Sequence, residues 1–172
     1  MAILPIRKYP EEVLKKRALP VAALDREMQR LIDDMIDTMY AAPGIGLAAP
    51  QVGVSQRLVV IDVSTREEKH PLMVLINPEI VEADSLIESE EGCLSVPGYT
   101  AVVKRAGNVV ARGLNREGKP VEVEATGLLA RALQHEIDHL DGVLFVDRLS
   151  AIKREFFKKR YRKSLQESAA RP

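Results

Sequence analysis

The stretch QHEIDHLDG, residues 134–142, contains two of the three histidines of this 172-residue chain, placed four residues apart. On a helix, residues at that spacing lie about 40° apart around the axis, so His135 and His139 project from one face. Their imidazoles can therefore bind a single cation. Glu136 lies beside them, where its carboxylate can reach a water molecule next to that cation.

The flanks of this stretch predict a buried helix. Thr126 is suited to the N-cap, and Gly142 follows the last apolar residue, where a C-terminal glycine is common. The alternative is a surface helix that carries two histidines by chance. Apolar neighbours favour burial of the histidine face instead: Leu129, Ala132, Leu133, Ile137 and Leu140.

Composition is that of one ordinary globular domain. Hydrophobic residues make up 46% of the chain, charged residues 29%, and the formal net charge is zero. These values argue against disorder and give no overall attraction to DNA or to an anionic membrane. We find no signal-peptide pattern and no apolar run of transmembrane length, and the single cysteine excludes an intramolecular disulfide. We therefore expect a cytoplasmic protein.

The order of patterns along the chain predicts an α+β fold. A short helix is expected after Pro10, and a longer one over 24–40, with methionines as core residues. Short β-branched segments follow, with connections too short for crossover helices, which favours antiparallel pairing. These segments are 57–63, 72–77, 79–88, 100–105, 108–115 and 120–125. We expect a single domain that ends in a basic C-terminal helix and tail over 151–172.

A catalytic metal site of this kind usually has three protein ligands and one open position. No histidine follows His139, and three acidic residues further downstream are poorly placed to be the third ligand: Asp147, Glu155 and Glu167. Cys93 lies upstream, in a glycine- and proline-rich turn between strands. A lone cysteine is often just a small buried apolar residue. Beside a histidine pair that lacks a ligand, we interpret Cys93 as that ligand, because its thiolate binds metal strongly.

Three segments resemble the three motifs of peptide deformylases, in the same order: GIGLAAPQ (44–51), EGCLS (91–95) and QHEIDHLDG (134–142). The resemblance covers roughly residues 1–150. It implies one catalytic domain over 1–150, in which antiparallel strands surround the central histidine helix. It implies an enzyme that removes the formyl group from the N-terminal formylmethionine of new polypeptides. The implied metal ligands are Cys93, His135 and His139. The family commonly works with Fe²⁺, and such a donor set also accepts Zn²⁺, Ni²⁺ or Co²⁺.

The resemblance also implies roles in catalysis. Glu136 is the general base that takes a proton from the attacking water and gives it to the departing amine. The side-chain amide of Gln51 and the backbone N–H of Leu94 stabilise the oxyanion. By its residues alone, Gln51 is better interpreted as a polar loop residue.

Substrate contacts are predicted on both sides of the metal. Ile45, Gly46 and Gly92 are implied to pair with the peptide main chain as an extra strand. Leu128, Ala132 and the aliphatic part of Arg131 are candidates for the methionine pocket, although each also suits the core. Glu91 is grouped with this site, where it is expected to bond backbone or Arg105, with simple solvation as the alternative.

The C-terminal stretch IKREFFKKRYRKS is strongly basic. Its cations are Lys153, Arg154, Lys158, Lys159, Arg160, Arg162 and Lys163. The default interpretation is a solvated helix face. Ile152, Phe156 and Phe157 are predicted to dock on the domain, which leaves a cationic face suited to RNA phosphates. Some deformylases contact the ribosome through such a helix, so we hypothesise ribosome association.

Two other functions compete with deformylation. A metalloprotease would also cleave unformylated peptides and would need a downstream ligand that the chain does not offer. A structural metal or RNA-binding module would have four protein ligands and no use for Glu136. We interpret the three visible ligands as evidence for an open, catalytic position.

Overall fold

A computed structural model describes residues 2–170 of the chain. The helices are α1 (Arg26–Ala41), α2 (Gly127–Leu140) and α3 (Ala151–Ala170). The strands are β1 (Gly46–Ala48), β2 (Leu58–Ile61), β3 (Met73–Cys93), β4 (Val96–Leu114) and β5 (Pro120–Thr126). They form one antiparallel sheet in chain order, which confirms the predicted α+β class. Within residues 2–170, no helix combines the length and apolarity needed to cross a membrane.

The sheet lies between α1 and α2, and β2 is buried on both faces. Val59 and Ile61 belong to the apolar cluster that includes α2, whereas Leu58 and Val60 belong to the cluster that includes α1. This explains why the strand is a continuous apolar run with no polar alternation. Complete burial of each such side chain stabilises the fold by about 1.5–3 kcal/mol. Helix α2 is thereby fixed against the sheet, and it carries the histidine pair.

Helix α1 follows its sequence pattern closely. It begins after Asp25, whose carboxylate accepts a hydrogen bond from the backbone N–H of Met28 at 2.9 Å. It ends at Ala41, before Pro43, as expected. Met28, Met35 and Met39 are buried, which confirms that they fill the core.

Strands β3 and β4 are much longer than predicted. The segments 72–77 and 79–88 are joined in β3, and 100–105 and 108–115 in β4. The polar interruption at Asn77 is a bulge: the register shifts between Ile76 and Glu79 without ending the strand. Asn77 has a φ of 51°, and its side-chain amide bonds both the N–H and the carbonyl of Val21. These two bonds hold a conformation that is rare outside glycine.

The predicted helix after Pro10 is wrong: only Glu12–Lys15 forms a short 3₁₀ turn. The N-terminal segment instead runs extended over the motif loops. The backbone N–H of Arg7 donates to Gln51 O at 2.6 Å, and that of Tyr9 donates to Ser95 O at 2.8 Å. The N-terminal segment therefore supports the loops that carry the site.

Helix α2 has the predicted ends but not the predicted cap bond. Thr126 occupies the N-cap position, and its side chain makes no capping hydrogen bond. Gly142 follows the helix with a φ of 76°, a left-handed conformation that favours glycine. A Cβ there would also lie 2.4 Å from the carbonyl oxygen of Lys15. Glycine is thus required where the chain leaves α2.

Helix α3 docks through only one of the three residues predicted, Phe157. Phe157 is buried, with 2% of its surface exposed, but Phe156 and Ile152 are 70% and 71% exposed. Tyr161, one turn after Phe157, is the second buried anchor. Both rings pack edge-on against Tyr9. The docking predicted for Phe156 and Ile152 is wrong, because the side chains at 157 and 161 are the ones that face this aromatic cluster.

Candidate metal centre and active site

The three predicted ligands converge, although they come from two separate elements. Cys93 is the last residue of β3, and His135 and His139 lie one turn apart on α2. His139 Nε2 lies 3.3 Å from Cys93 Sγ and 3.3 Å from His135 Nε2. All three donor atoms lie within 4.8 Å of one another. Two ring nitrogens and one sulfur therefore face a common point.

This arrangement fits a tetrahedral divalent ion. Metal–nitrogen and metal–sulfur bonds of about 2.05 and 2.3 Å separate ligand atoms by about 3.3–3.6 Å in a tetrahedron. The two distances at His139 Nε2 are close to that range. Within residues 2–170, no fourth acidic, cysteine or histidine ligand joins this group. The donor set is that of an open site.

Glu91 fixes the orientation of the first histidine. Burial opposes ionisation of Glu91, but hydrogen bonds from His135 and Arg105 and the charge of the Arg105 guanidinium hold its pKa well below its usual range. The ionised carboxylate can only accept, so His135 Nδ1 donates to Glu91 Oε1 across 3.0 Å. That tautomer leaves the lone pair of Nε2 free for a metal. Arg105 grips the same carboxylate through two bonds of 2.8 and 2.9 Å, so the solvated alternative for Glu91 is wrong.

Glu136 follows His135 on α2, and its side chain is buried. Burial raises its pKa to about 7, so this carboxyl group can take up or release a proton near neutrality. Oε1 is buried, and no residue in the range 2–170 offers it a hydrogen bond. A Cβ on Gly46 would lie 2.5 Å from the other oxygen, Oε2. Glycine at position 46 therefore allows this carboxylate to lie against the β1 backbone.

The glycines of the first motif act by close approach and not by unusual dihedrals. Neither Gly44 nor Gly46 has a positive φ, so neither adopts a left-handed backbone conformation. A Cβ on Gly44 would lie 2.8 Å from a methyl carbon of Leu94. The loop thus contacts both the α2 carboxylate and the turn after Cys93.

Gln51 links the first motif to the second. Its Oε1 accepts from the Ala48 N–H at 2.9 Å, which orients the amide. Its Nε2 donates to Ser95 Oγ at 3.1 Å and points at Cys93 Sγ from 3.6 Å. The buried side chain is therefore a fixed donor beside the ligand set, unlike a solvated loop residue.

A cavity of about 530 Å³ opens over these groups. Every residue predicted to bind substrate lines it: Ile45, Gly46, Glu91, Gly92, Leu128, Arg131 and Ala132. The predicted oxyanion donor Leu94 lines it as well. Gln51, Cys93, His135 and Glu136 also line it. The sequence motifs thus meet on one concave surface large enough for a small peptide side chain.

Several neighbours of the site were not predicted. Ser95 is fully buried and bonds both Gln51 and, through its N–H, Cys93 Sγ at 3.4 Å. Asp138 is buried on α2, where it accepts from Arg105 and Arg148. The signal for Asp138 was available, because a charged residue three positions after a ligand on an apolar helix needs a partner.

An α+β fold with three potential metal donors, a buried carboxylate and an open cavity is typical of a metal-dependent hydrolase. Comparison with known proteins then gives the family. Residues 3–155 match the model of the family described as polypeptide deformylase. The peptide deformylase of Thermodesulfovibrio yellowstonii is 60% identical over 162 residues, which covers 94% of this chain and 98% of that protein.

Solved structures agree over nearly the whole chain. The crystal structure of a peptide deformylase from Legionella pneumophila has a TM-score of 0.89 and 50% identity, and the match covers 99% of this chain and 100% of that one. A peptide deformylase from Ehrlichia chaffeensis, in complex with actinonin, has a TM-score of 0.89 and 38% identity, with 95% and 98% covered. The chain belongs to the peptide deformylase family, and it is an enzyme.

Proposed function

We propose that this enzyme removes the formyl group from the N-terminal formylmethionine of newly made polypeptides and releases formate. The observation that carries the proposal is the convergence of Cys93, His135 and His139 beside the buried carboxylate of Glu136. Substrates that leave the ribosome with a formylated end also imply a cytoplasmic enzyme.

The same three side chains are proposed to hold the ion. One soft thiolate and two imidazoles suit Fe²⁺, which we propose for the cell, and also Zn²⁺, Ni²⁺ or Co²⁺. A divalent ion held there supplies positive charge that polarises a carbonyl oxygen and makes a neighbouring water more acidic. Glu91 keeps His135 in the tautomer that this binding needs.

Glu136 is proposed as the proton carrier. Its carboxylate takes a proton from water as the water oxygen bonds to the formyl carbon, and gives that proton to the methionine nitrogen as the carbon–nitrogen bond breaks. Gln51 Nε2 and the backbone N–H of Leu94 are proposed as donors to the oxyanion. The support for Gln51 is its fixed amide, held 3.6 Å from Cys93 Sγ.

The walls of the cavity are proposed to bind the peptide. Ile45, Gly46 and Gly92 would pair with its main chain as an added strand. The methionine side chain would lie against Leu128, Ala132 and the aliphatic part of Arg131, three residues of α2 that line the cavity. A predominantly apolar wall suits a thioether side chain.

Formate release tests the proposed reaction. We expect the metal-loaded enzyme to release formate from formyl-Met-Ala-Ser and to leave acetyl-Met-Ala-Ser intact, because the extra methyl group crowds the attacked carbon. Cleavage of the Met–Ala bond in unformylated Met-Ala-Ser would favour the protease alternative instead. Mass spectrometry of the same reactions separates the two outcomes.

We further propose that residues 1–150 are the catalytic domain and that α3 binds the ribosome electrostatically. Its basic residues are exposed, whereas Phe157 and Tyr161 are buried in the domain. Truncation after Ser150 would remove those anchors, so charge substitutions test the idea more cleanly. Replacing Lys153, Arg154, Arg160 and Lys163 with Gln should weaken co-sedimentation with ribosomes at low salt.

The matched control for this experiment replaces four exposed lysines elsewhere with Gln: Lys8, Lys16, Lys69 and Lys119. It removes the same formal charge without touching α3. Equal loss of co-sedimentation in both variants, or loss in neither, would contradict specific binding through α3.

A further inference from the structure

A network of charged groups extends from His135 to the protein surface at Arg148. Arg105, 3% exposed, lies in the middle of it. Nε and Nη2 of Arg105 bind Glu91, and Nη1 donates to Asp138 Oδ2 at 2.5 Å. Arg148, in the 3₁₀ turn Phe145–Arg148, then binds Asp138 through two bonds of 2.7 and 3.0 Å. The network contains two carboxylates and two guanidinium groups, so its formal charge is zero.

Each side chain in the network is oriented by its neighbour on the side nearer the surface. Nε and Nη2 of Arg105 hold Glu91 through two hydrogen bonds, and Nη1 needs an acceptor of its own. A buried guanidinium N–H without an acceptor would lower the stability of this arrangement. Asp138 is that acceptor. Arg148 binds both oxygens of Asp138 and so fixes the plane of that carboxylate.

At the inner end of the network, Glu91 sets the ring orientation of the proposed metal ligand His135. Glu91 Oε1 accepts from His135 Nδ1 at 3.0 Å and shares the same oxygen with Arg105 Nη2. A rotation of Glu91 would break both contacts. His135 Nε2 would then lose its fixed direction toward Cys93 and His139.

We propose that Asp138 and Arg148 are positioning residues for the metal ligand His135, acting through Arg105 and Glu91. This inference rests on the proposed role of His135 as a ligand. Without Arg148, the carboxylate of Asp138 rotates, and Arg105 no longer holds Glu91 through two fixed hydrogen bonds. His135 then samples other ring orientations, and the ion is held less tightly.

The alternative role for the Asp138–Arg148 pair is purely structural, a link between the 3₁₀ turn and the end of α2. Metal affinity distinguishes the two roles, because loss of a purely structural link would lower the stability of the fold and leave the metal affinity unchanged. The chain offers a matched control in Arg57. It donates to Leu140 O at 2.9 Å and pairs with Asp141 at 3.0 Å, at the same end of α2, and none of its hydrogen bonds or ion pairs involves Arg105, Glu91 or Asp138.

The test titrates Co²⁺ into metal-stripped full-length protein and follows the visible absorption of the bound ion. Asp138→Asn and Arg148→Met should each bind Co²⁺ about 5–10-fold more weakly than the parent. Losing a direct partner of a ligand usually costs about 10–100-fold, and these two residues act on His135 only through Arg105 and Glu91. Arg148→Lys should lie between, since lysine keeps the charge but not the fork. Arg57→Met should bind within about twofold of the parent, whatever its melting temperature.

Parent-like Co²⁺ affinity in both Asp138→Asn and Arg148→Met, with melting temperatures lowered as in Arg57→Met, would overturn the inference. Should Asp138→Asn fail to fold, the partly exposed Arg148 still gives the answer. Formate release by the parent is measured in parallel, so a failure of the proposed reaction would appear there and not in the ratio of affinities.

Discussion

Gly46 and Glu136 lie so close together that any side chain at position 46 would collide with the carboxylate. A Cβ there would lie 2.5 Å from Oε2 and 2.9 Å from Cδ of Glu136. One element of the sheet thus sets the position of the group proposed to carry the proton.

The first prediction concerns this contact. Gly46→Ala should lower kcat by at least about tenfold, because the displaced carboxylate no longer lies within hydrogen-bond reach of the attacking water. Metal content should stay at the parent level. Gly44→Ala is the comparison, since its Cβ would meet only a mobile methyl group of Leu94 and should cost less. A larger loss in Gly44→Ala than in Gly46→Ala would contradict this reasoning.

The second prediction concerns proton transfer itself. Glu136→Ala should retain the metal and lose at least about a hundredfold in the rate of formate release, the usual effect of removing a general base. Glu136→Gln keeps the shape of the side chain and should be similarly impaired. Metal analysis of each variant separates lost chemistry from a lost ion. Full activity in either variant would remove Glu136 from the mechanism.

The third prediction concerns the thiolate. Cys93→Ser should weaken metal binding and shift selectivity away from softer ions, because an alkoxide is a hard ligand and is formed reluctantly. Equilibrium dialysis against Zn²⁺ and Co²⁺ measures both effects. His70→Ala is the control, since His70 lies outside the ligand group. Unchanged metal content and selectivity in Cys93→Ser would disqualify Cys93 as a ligand.

The fourth prediction compares two adjacent phenylalanines of α3. Phe157→Ala should lower the free energy of unfolding by about 3–5 kcal/mol, because it leaves a cavity in the aromatic cluster around Tyr9 and Tyr99. Phe156→Ala should change it by less than about 0.5 kcal/mol, since that ring is solvent-exposed. Urea unfolding of the full chain measures both. Equal effects would mean that α3 does not dock through Phe157.

The metal ligands could be predicted from the sequence because short motifs identify them. The spacing of His135 and His139 puts them on one helical face, and only one cysteine was available as a third ligand. The contact between Gly46 and Glu136 was not predictable, because it depends on how β1 packs against α2. The same holds for Arg148, which lies ten residues from Asp138 and reaches it only after the chain turns at Gly142.

The fold was predictable in class but not in its strand lengths. Asn77 and Pro78 read as a break, yet the side-chain bonds of Asn77 to Val21 keep the bulged strand continuous. Strand β1 was missed because Gly-Leu-Ala carries no strand pattern and is ordered by pairing with β2. For α3, adjacent phenylalanines point about 100° apart, and only the position of the partner rings decides which is buried.

The central claim is that one divalent ion, held by Cys93, His135 and His139, is needed for deformylation. The most direct measurement adds Fe²⁺ anaerobically to metal-stripped enzyme and follows formate release from formyl-Met-Ala-Ser. We expect activity to rise linearly and to level off at one ion per chain, and to be absent before metal is added. Full formate release by the stripped protein, or none at saturating Fe²⁺, would contradict the account.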